Sequence, residues 1–298
     1  MSTPDSTYRG RFAPSPTGPL HLGSLVAALA SYLDARAAGG AWLVRMEDLD
    51  PPREEPGAAE SILQSLRHHG LHWDESVLWQ GQRGAAYADA LARLHARGHT
   101  FPCSCSRQQT DPLGNCRGDC RREPPAEGAP TALRVRVPAG FTSDWDDRWQ
   151  GPQHWADSER LRDFVIRRKD GLIAYQLAVV VDDAAQGITR VVRGSDLLDS
   201  TPRQHCLQTL LDYPRPAYDH LPVLTGADGS KLSKQNHAPA LDDRQAPANL
   251  RRALHYLNQP PPPAGATTCG DILTAATARW RWEAVPARPS LPADAADA

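Results

Sequence analysis

An α/β fold with a parallel sheet, interrupted by an inserted segment, is predicted by three features of the 298-residue chain. Residues 1–98 read as strand, helix, strand, helix, the order that places covering helices over a parallel sheet. At residue 99 the pattern changes, and cysteines, prolines and glycines crowd in. After residue 170 the apolar strand and helix patterns return.

The elements follow in order. "GRFAP" (10–14) reads as a short strand. In "SLVAALASYLDARAAGG", Leu25, Leu29, Tyr32 and Leu33 share one helical face, and the Gly-Gly pair ends the helix. "AWLVRM" is apolar enough for a buried strand. Ile62, Leu63 and Leu66 mark a helix before Gly70; Tyr87, Leu91 and Leu94 mark another before Gly98. Within 99–170, read as an insertion, "ALRVRV" and "DFVIRR" are strand candidates. "AYQLAVVVDD" and "ITRVVRG" resume the sheet domain over 171–240. Residues 241–298 begin as a helix, "APANLRRALHYLNQ", which breaks at four prolines; the tail "PARPSLPADAADA" reads as disordered.

Composition narrows the class. Apolar residues at 40% and charged residues at 23% fit a globular protein with a large core. "LVAALA" and "LAVVV", the longest apolar stretches, are too short to span a bilayer. The N-terminus has no apolar signal core, so the chain is expected in the cytoplasm, without a membrane partner. A net charge of -2 does not suggest a nucleic-acid protein, and no DNA partner is expected. Any RNA contact would fall on local clusters such as Arg121-Arg122 or the span 160–169.

Two stretches carry the chemistry. "APSPTGPLHLGS" joins the first strand to the first helix, stiffened by Pro14, Pro16 and Pro19, with Gly18 free to take an unusual backbone angle. The helix begins near His21, and its opening amides attract anions. His21 and Ser24 share a face, and Gly23 lets a flat ligand approach the backbone. Neither a P-loop nor a dinucleotide fingerprint is present. The second stretch is "GSKLSKQ" (229–235). The chain holds three lysines against thirty arginines, and two of the three, Lys231 and Lys234, share this loop. Arginine is a wide planar fork, lysine a compact charge on a slim stem. A site that inserts a cation between crowded phosphate oxygens selects the second.

"HLGS" resembles the HIGH motif of class I aminoacyl-tRNA synthetases, and "KLSKQ" resembles their KMSKS loop. With "RFAPSPTGPLHLG" around the first, the pair is similar to the glutamyl branch of that class. The resemblance spans about residues 8 to 255. It implies a Rossmann-type sheet with an acceptor-stem insertion, ligands at the carboxyl ends of the strands, and use of ATP with Mg2+. His21, Gly23 and Ser24 would meet ATP, Lys234 the α-phosphate region, and Lys231 would help close the loop. Arg11, Ala13 and Ser15 match the family's R-F-A-P-S motif. By resemblance Arg11 would grip the side-chain carboxylate of L-glutamate, Glu47 would hold the α-ammonium, and Tyr175 and Arg193 would complete the pocket. Two positions depart from ordinary glutamyl-tRNA synthetases: Val179 stands where Asn is common, and Ser24 where the HIGH motif ends in His.

"CSCSRQQTDPLGNCRGDC" brings Cys103, Cys105, Cys116 and Cys120 close together, and four thiolates suit tetrahedral zinc. Disulfides or free thiols are the other readings. In the resembled family the zinc is structural, and Cys116 takes the place of a tyrosine ligand found in some members. About sixty residues follow the lysine loop, where full glutamyl-tRNA synthetases carry an anticodon-binding domain. That length, Val179 and the wording "KLSKQ" resemble the glutamyl-Q tRNA(Asp) synthetases. Such enzymes activate glutamate without tRNA and attach it to queuosine in the anticodon of tRNA(Asp). The alternatives are a shortened enzyme charging the 3′ end of tRNA(Glu), and a non-catalytic, zinc-stabilised RNA-binding relative.

Overall fold

The computed structural model describes residues 8–110, 116, 119–156, 161–226, 229–232 and 238–293, without the side chains of Arg107 and Asp119. Its first half is β1 (Arg9–Phe12), α1 (Leu22–Ala37), β2 (Ala41–Met46), α2 (Ala58–His68), β3 (Leu78–Trp79) and α3 (Gly84–Ala96). Strands β1, β2 and β3 pair in parallel, with Arg11 opposite Leu43 and Phe12 opposite Val44. The chain then leaves this sheet. An antiparallel sheet forms from β4 (Thr100–Cys103), β5 (Ala132–Val135) and β8 (Val165–Arg167). The short helix α4 (Asp119–Arg122) lies between β4 and β5, and a hairpin, β6 (Thr142–Asp147) and β7 (Gly151–Ala156), between β5 and β8.

The parallel pattern resumes with α5 (Tyr175–Ala185), β9 (Arg190–Gly194), α6 (Thr201–Leu211) and β10 (Ala217–Leu221). β9 and β10 are parallel to each other. The Thr189 amide donates to the Arg9 carbonyl at 3.0 Å, and the Thr189 hydroxyl accepts from the Arg9 amide at 2.9 Å. These bonds lay β9 beside β1, so the spatial order is β3-β2-β1-β9-β10. That is the 3-2-1-4-5 strand order of a doubly wound sheet, with its crevice at the switch point between β1 and β9.

Alternation along the strands assigns the faces. Trp42, Val44 and Met46 join Leu25, Leu29 and Leu33 of α1 in one core, together with residues of α7 (Ala246–Tyr256) and α8 (Cys269–Ala278). Arg11 and Arg45 sit on the opposite face, where α5 lies. A second core, with Tyr87, Leu94, Leu177, Val180 and Leu207, ties α3, α5 and α6 together. Within it Asp182 accepts from Gln80, Arg83 and Tyr87, so α5 is clamped to α3 and the turn before it.

The tail is where the structure corrects the sequence reading. The expected disordered stretch contains β12 (Ser290–Pro292), which pairs in parallel with β11 (Val223–Thr225). The Val223 amide donates to Pro289 and the Ala293 amide to Thr225, while Leu291 packs against the first core. The pairing satisfies the exposed edge of β11, a gain that Pro and Ala composition does not reveal. Residues 294–298 lie outside the described residues. No helix among the described residues is long and apolar enough to cross a membrane.

Candidate active site and cysteine cluster

A cavity of about 910 Å3 opens at the carboxyl ends of the parallel strands. Its wall brings together Arg11, Ala13, Ser15, His21, Gly23 and Ser24 from the β1–α1 region. Glu47, Tyr175, Arg193 and Lys231 also line it. Lys234 lies outside the described residues, as do 233 and 235–237.

The β1–α1 connection is built as a ligand cradle. Gly18 has φ of 130°, a conformation that side chains beyond glycine rarely adopt. The Glu47 amide donates to the Pro14 carbonyl at 2.9 Å, fastening the connection to the end of β2. His21 is the N-cap of α1: its Nδ1 accepts from the Ser24 amide at 3.4 Å. The proton of the neutral ring is therefore on Nε2. A Cβ on Gly23 would stand 3.1 Å from His21 Cε1 and 3.9 Å from the Leu232 carbonyl oxygen. So Gly23 leaves room for the histidine cap, a reason beyond the ligand access expected from sequence. The loop returns to the same place, with Ala240 bridging His21 and the Leu241 amide donating to the Leu20 carbonyl. Lys231 reaches Asp196 at 2.6 Å.

The other side of the cavity holds a buried charge cluster. Asp183 of α5 accepts from Arg11 Nε at 3.2 Å and from Arg45 Nη1 at 2.7 Å. Burial alone would raise its carboxyl, but the two guanidinium charges hold it below the usual aspartate range. Of the Arg11 guanidinium, Asp183 engages Nε, and Arg11 also lines the cavity. Glu47 is in the opposite condition. Arg45 Nη2 comes no closer than 3.4 Å to it, and burial pushes its carboxyl above the usual glutamate range despite Arg45 and Arg11. A buried carboxylate that lacks full compensation attracts a cationic group. Arg193 differs from both. Its Nε donates to His220, its Nη1 to Gln204 and Tyr175, and its Nη2 to Thr201 and the Leu197 carbonyl.

Arg45, Asp183 and Asp196 were missed by the sequence reading. The first two carried a signal: a charge inside the apolar runs "WLVRM" and "VVVDDAA" must be buried and paired. Asp196 had none, because an acid in a loop is ordinary.

The four cysteines of the insertion converge. Their sulfurs all lie within 4.8 Å of one another, and three of the four side chains are buried. Cys105 Sγ is 3.8 Å from Cys116 Sγ and 3.5 Å from Cys120 Sγ, and all four are free thiols. Four sulfurs at about 2.3 Å from a tetrahedral ion would be separated by about 3.8 Å. The spacing therefore fits a metal. Burial and its thiol neighbours push Cys105 up. Burial also opposes ionisation of Cys120, yet the Ser104 amide and the surrounding thiols bring it down to about 7.

The model of the catalytic domain of tRNA synthetases class I (E and Q) matches residues 7–251. The chain is 54% identical to a glutamyl-Q tRNA(Asp) synthetase of Thiobacillus denitrificans, over 94% of this chain and 95% of that one. It is 50% identical to one of Pseudomonas putida, over 98% and 97%. A solved glutamate-tRNA synthetase of Elizabethkingia anophelis shares the fold, with a TM-score of 0.82 at 23% identity over 98% of this chain and 69% of that one. Matched over most of its length by the domain and nearly end to end by such relatives, the chain belongs to the class I tRNA synthetases (E and Q), and among them to the glutamyl-Q tRNA(Asp) synthetases.

Proposed function

We propose that this chain activates L-glutamate with ATP, without tRNA, and transfers it to queuosine in the anticodon of tRNA(Asp). The observation that carries the reading is a cavity uniting the two motifs with an acidic and a cationic side, in a chain whose near full-length relatives bear that name. The tRNA substrate makes the cytoplasm the expected compartment.

In the first step an oxygen of the glutamate α-carboxylate attacks the α-phosphorus of ATP in line. A new P–O bond forms, the α–β anhydride bond breaks, and pyrophosphate leaves with its electron pair. ATP enters as its Mg2+ complex, which reduces the charge on the departing group. The α1 amides, the His21 imidazole and Ser24 face the phosphates, and Lys231 and Lys234 follow the charge as it moves onto pyrophosphate. For Lys231 this means release from Asp196. Glu47 receives the α-ammonium, Arg11 the γ-carboxylate, and Ala13 and Ser15 shape the backbone around them. In the second step a hydroxyl of the queuosine cyclopentenediol attacks the activated carbonyl, and AMP leaves. No anticodon-binding domain is required, because the anticodon itself is the acceptor.

The test is ATP–pyrophosphate exchange with no RNA present. Glutamate is expected to support it, and glutamine poorly, since it lacks the anion that Arg11 pairs. Equal exchange with both, or none until tRNA is added, contradicts the reading.

Residues 99–170 serve in this reading as an insertion that receives the RNA, and Cys103, Cys105, Cys116 and Cys120 hold one structural zinc. The ion would replace thiol contacts by four bonds and fix the β4–α4 segment. Cys116→Ser is expected to lower bound zinc measured by atomic absorption, and to reduce transfer more than exchange. Full zinc content in that variant excludes a four-thiolate site.

A further inference from the structure

Two of the three lysines belong to the lysine loop; the third, Lys169, has no part in the steps above. It stands in a tight turn between β8 and α5. The Arg168 amide donates to the Leu172 carbonyl at 2.8 Å, and the Gly171 amide to the Arg168 carbonyl at 3.1 Å. Asp170 completes the turn. Its Oδ1 accepts from the Leu172 amide at 3.2 Å and its Oδ2 from Arg168 Nη2 at 2.6 Å. A turn braced by its own bonds holds its side chains in set positions.

Two consecutive side chains of this turn reach two different parts of the molecule. Lys169 Nζ donates to the Ser104 carbonyl at 2.6 Å, across 65 positions of sequence. Ser104 is the middle residue of the C-x-C pair, between Cys103 and Cys105. Its amide bonds the sulfur of Cys120. One residue thus joins a cysteine on one side to an ammonium on the other. Arg168 Nη1 donates to Asp50 Oδ1 at 3.2 Å. Both of these residues line the cavity, as does Arg53, which donates to the other oxygen of Asp50.

Charge explains why a cation belongs beside the cysteines. Four thiolates outweigh the charge of a zinc ion, so an occupied cluster is an anion held among largely buried sulfurs. A positive group nearby lowers the cost of that charge. Lys169 applies its charge through the carbonyl of the two-ligand turn, so it also fixes the backbone from which Cys103 and Cys105 project. Outer groups that orient metal ligands in this way typically contribute roughly 10–100-fold to metal affinity.

We infer that Lys169 is a positioning residue for the cysteine cluster, and that Arg168 keeps it in place by tying the turn to Asp50 on the wall of the cavity. This rests on the reading of the four cysteines as a zinc site. The arrangement joins the metal segment of the insertion to the catalytic cavity through one turn and two adjacent side chains.

The test is the rate at which zinc leaves the folded full chain for the chelator pyridylazoresorcinol, followed by absorbance. Lys169 and Arg168 are exposed, so replacing them leaves the core untouched. Lys169→Met keeps a long stem and removes the charge; it is expected to release zinc about tenfold faster. Lys169→Arg keeps a cationic donor and is expected to stay within about twofold of the native rate. Arg168→Met leaves Lys169 intact but frees the turn from Asp50. It is expected to speed release about threefold, and to add nothing in the Lys169→Met background, because it acts through Lys169. Native release from Lys169→Met, or release from Lys169→Arg as fast as from Lys169→Met, overturns the positioning role. No effect of Arg168→Met, or an effect that persists in full without Lys169, overturns the tie to the cavity wall. Zinc content of the native chain by atomic absorption separates the two levels. A native chain without zinc sinks the zinc reading and this inference with it, whereas bound zinc with native release from Lys169→Met sinks this inference alone.

Discussion

Lys234→Arg is expected to slow glutamate-dependent pyrophosphate exchange at least ~100-fold, the loss that accompanies removal of one preorganised charge-stabilising group. The substitution keeps the charge and changes only its shape. The chain tolerates arginine at thirty positions and keeps lysine at three, so a purely surface role predicts a silent change. The surroundings argue for a narrow approach. The loop packs beside the His21 cap, where Ala240 bridges His21 and the Leu241 amide donates to the Leu20 carbonyl. Its first lysine is already committed to Asp196 in the same cavity. A slim ammonium can pass between these groups and the phosphates; a broad fork displaces one of them. The glutamate KM is expected to hold, since its proposed contacts are on the other side of the cavity. Native exchange rates in Lys234→Arg would remove Lys234 from the account.

Asp183→Ala is expected to be the most damaging single change to the folded state. It removes the shared counter-ion of Arg11 and Arg45, both buried between the sheet and α5. Breaking a buried ion pair from one side costs about 3–5 kcal/mol, because the remaining charge loses its nearest counter-ion in a site already taken out of water. In a chain of this size that corresponds to a fall in Tm of roughly 5–8 °C. Exchange should be lost as well, since Arg11 loses the anchor on its Nε. The pH dependence has a definite sign. The folded carboxyl titrates below its unfolded value, so the unfolded chain binds more protons as acid is added. The contribution of Asp183 is therefore complete above the usual aspartate range and disappears as pH falls through the lower folded value. Calorimetry across that range should find the acid-induced loss of stability smaller in the variant. A Tm within a degree or two of the native chain contradicts the proposed dependence on this pair.

Much of the fold was legible because its signals are local. The run "AWLVRM", the Gly-Gly stop after α1 and the apolar faces of α2 and α3 each lie within a dozen or so residues. The β6–β7 hairpin was not read. "TSDWDD" and "GPQHWA" are mostly polar, and their inward residues, Ser143 and Asp147, are buried by bonding to His205 and His220. Helix α8 and strand β12 were hidden by Ala and Pro, which carry little periodic signal. The site divides the same way. Its motifs are contiguous, so His21, Gly23 and Ser24 could be named from order alone. The groups that hold the site together are not contiguous. Arg45 and Asp183 are 138 positions apart, and His220 and Asp147 are 73 apart. Only the fold brings them into contact, and no spacing rule within a segment reaches that far.

The measurement closest to the central claim is the identity of the RNA that accepts radioactive glutamate. Native tRNA(Asp) carrying queuosine, the same tRNA made as an unmodified transcript, and a tRNA(Glu) transcript are each incubated with the chain, ATP and Mg2+, then digested to nucleosides. The account predicts label in native tRNA(Asp) alone, recovered with its queuosine nucleoside. Label on the 3′ end of the tRNA(Glu) transcript, or equal labelling of both forms of tRNA(Asp), would contradict it.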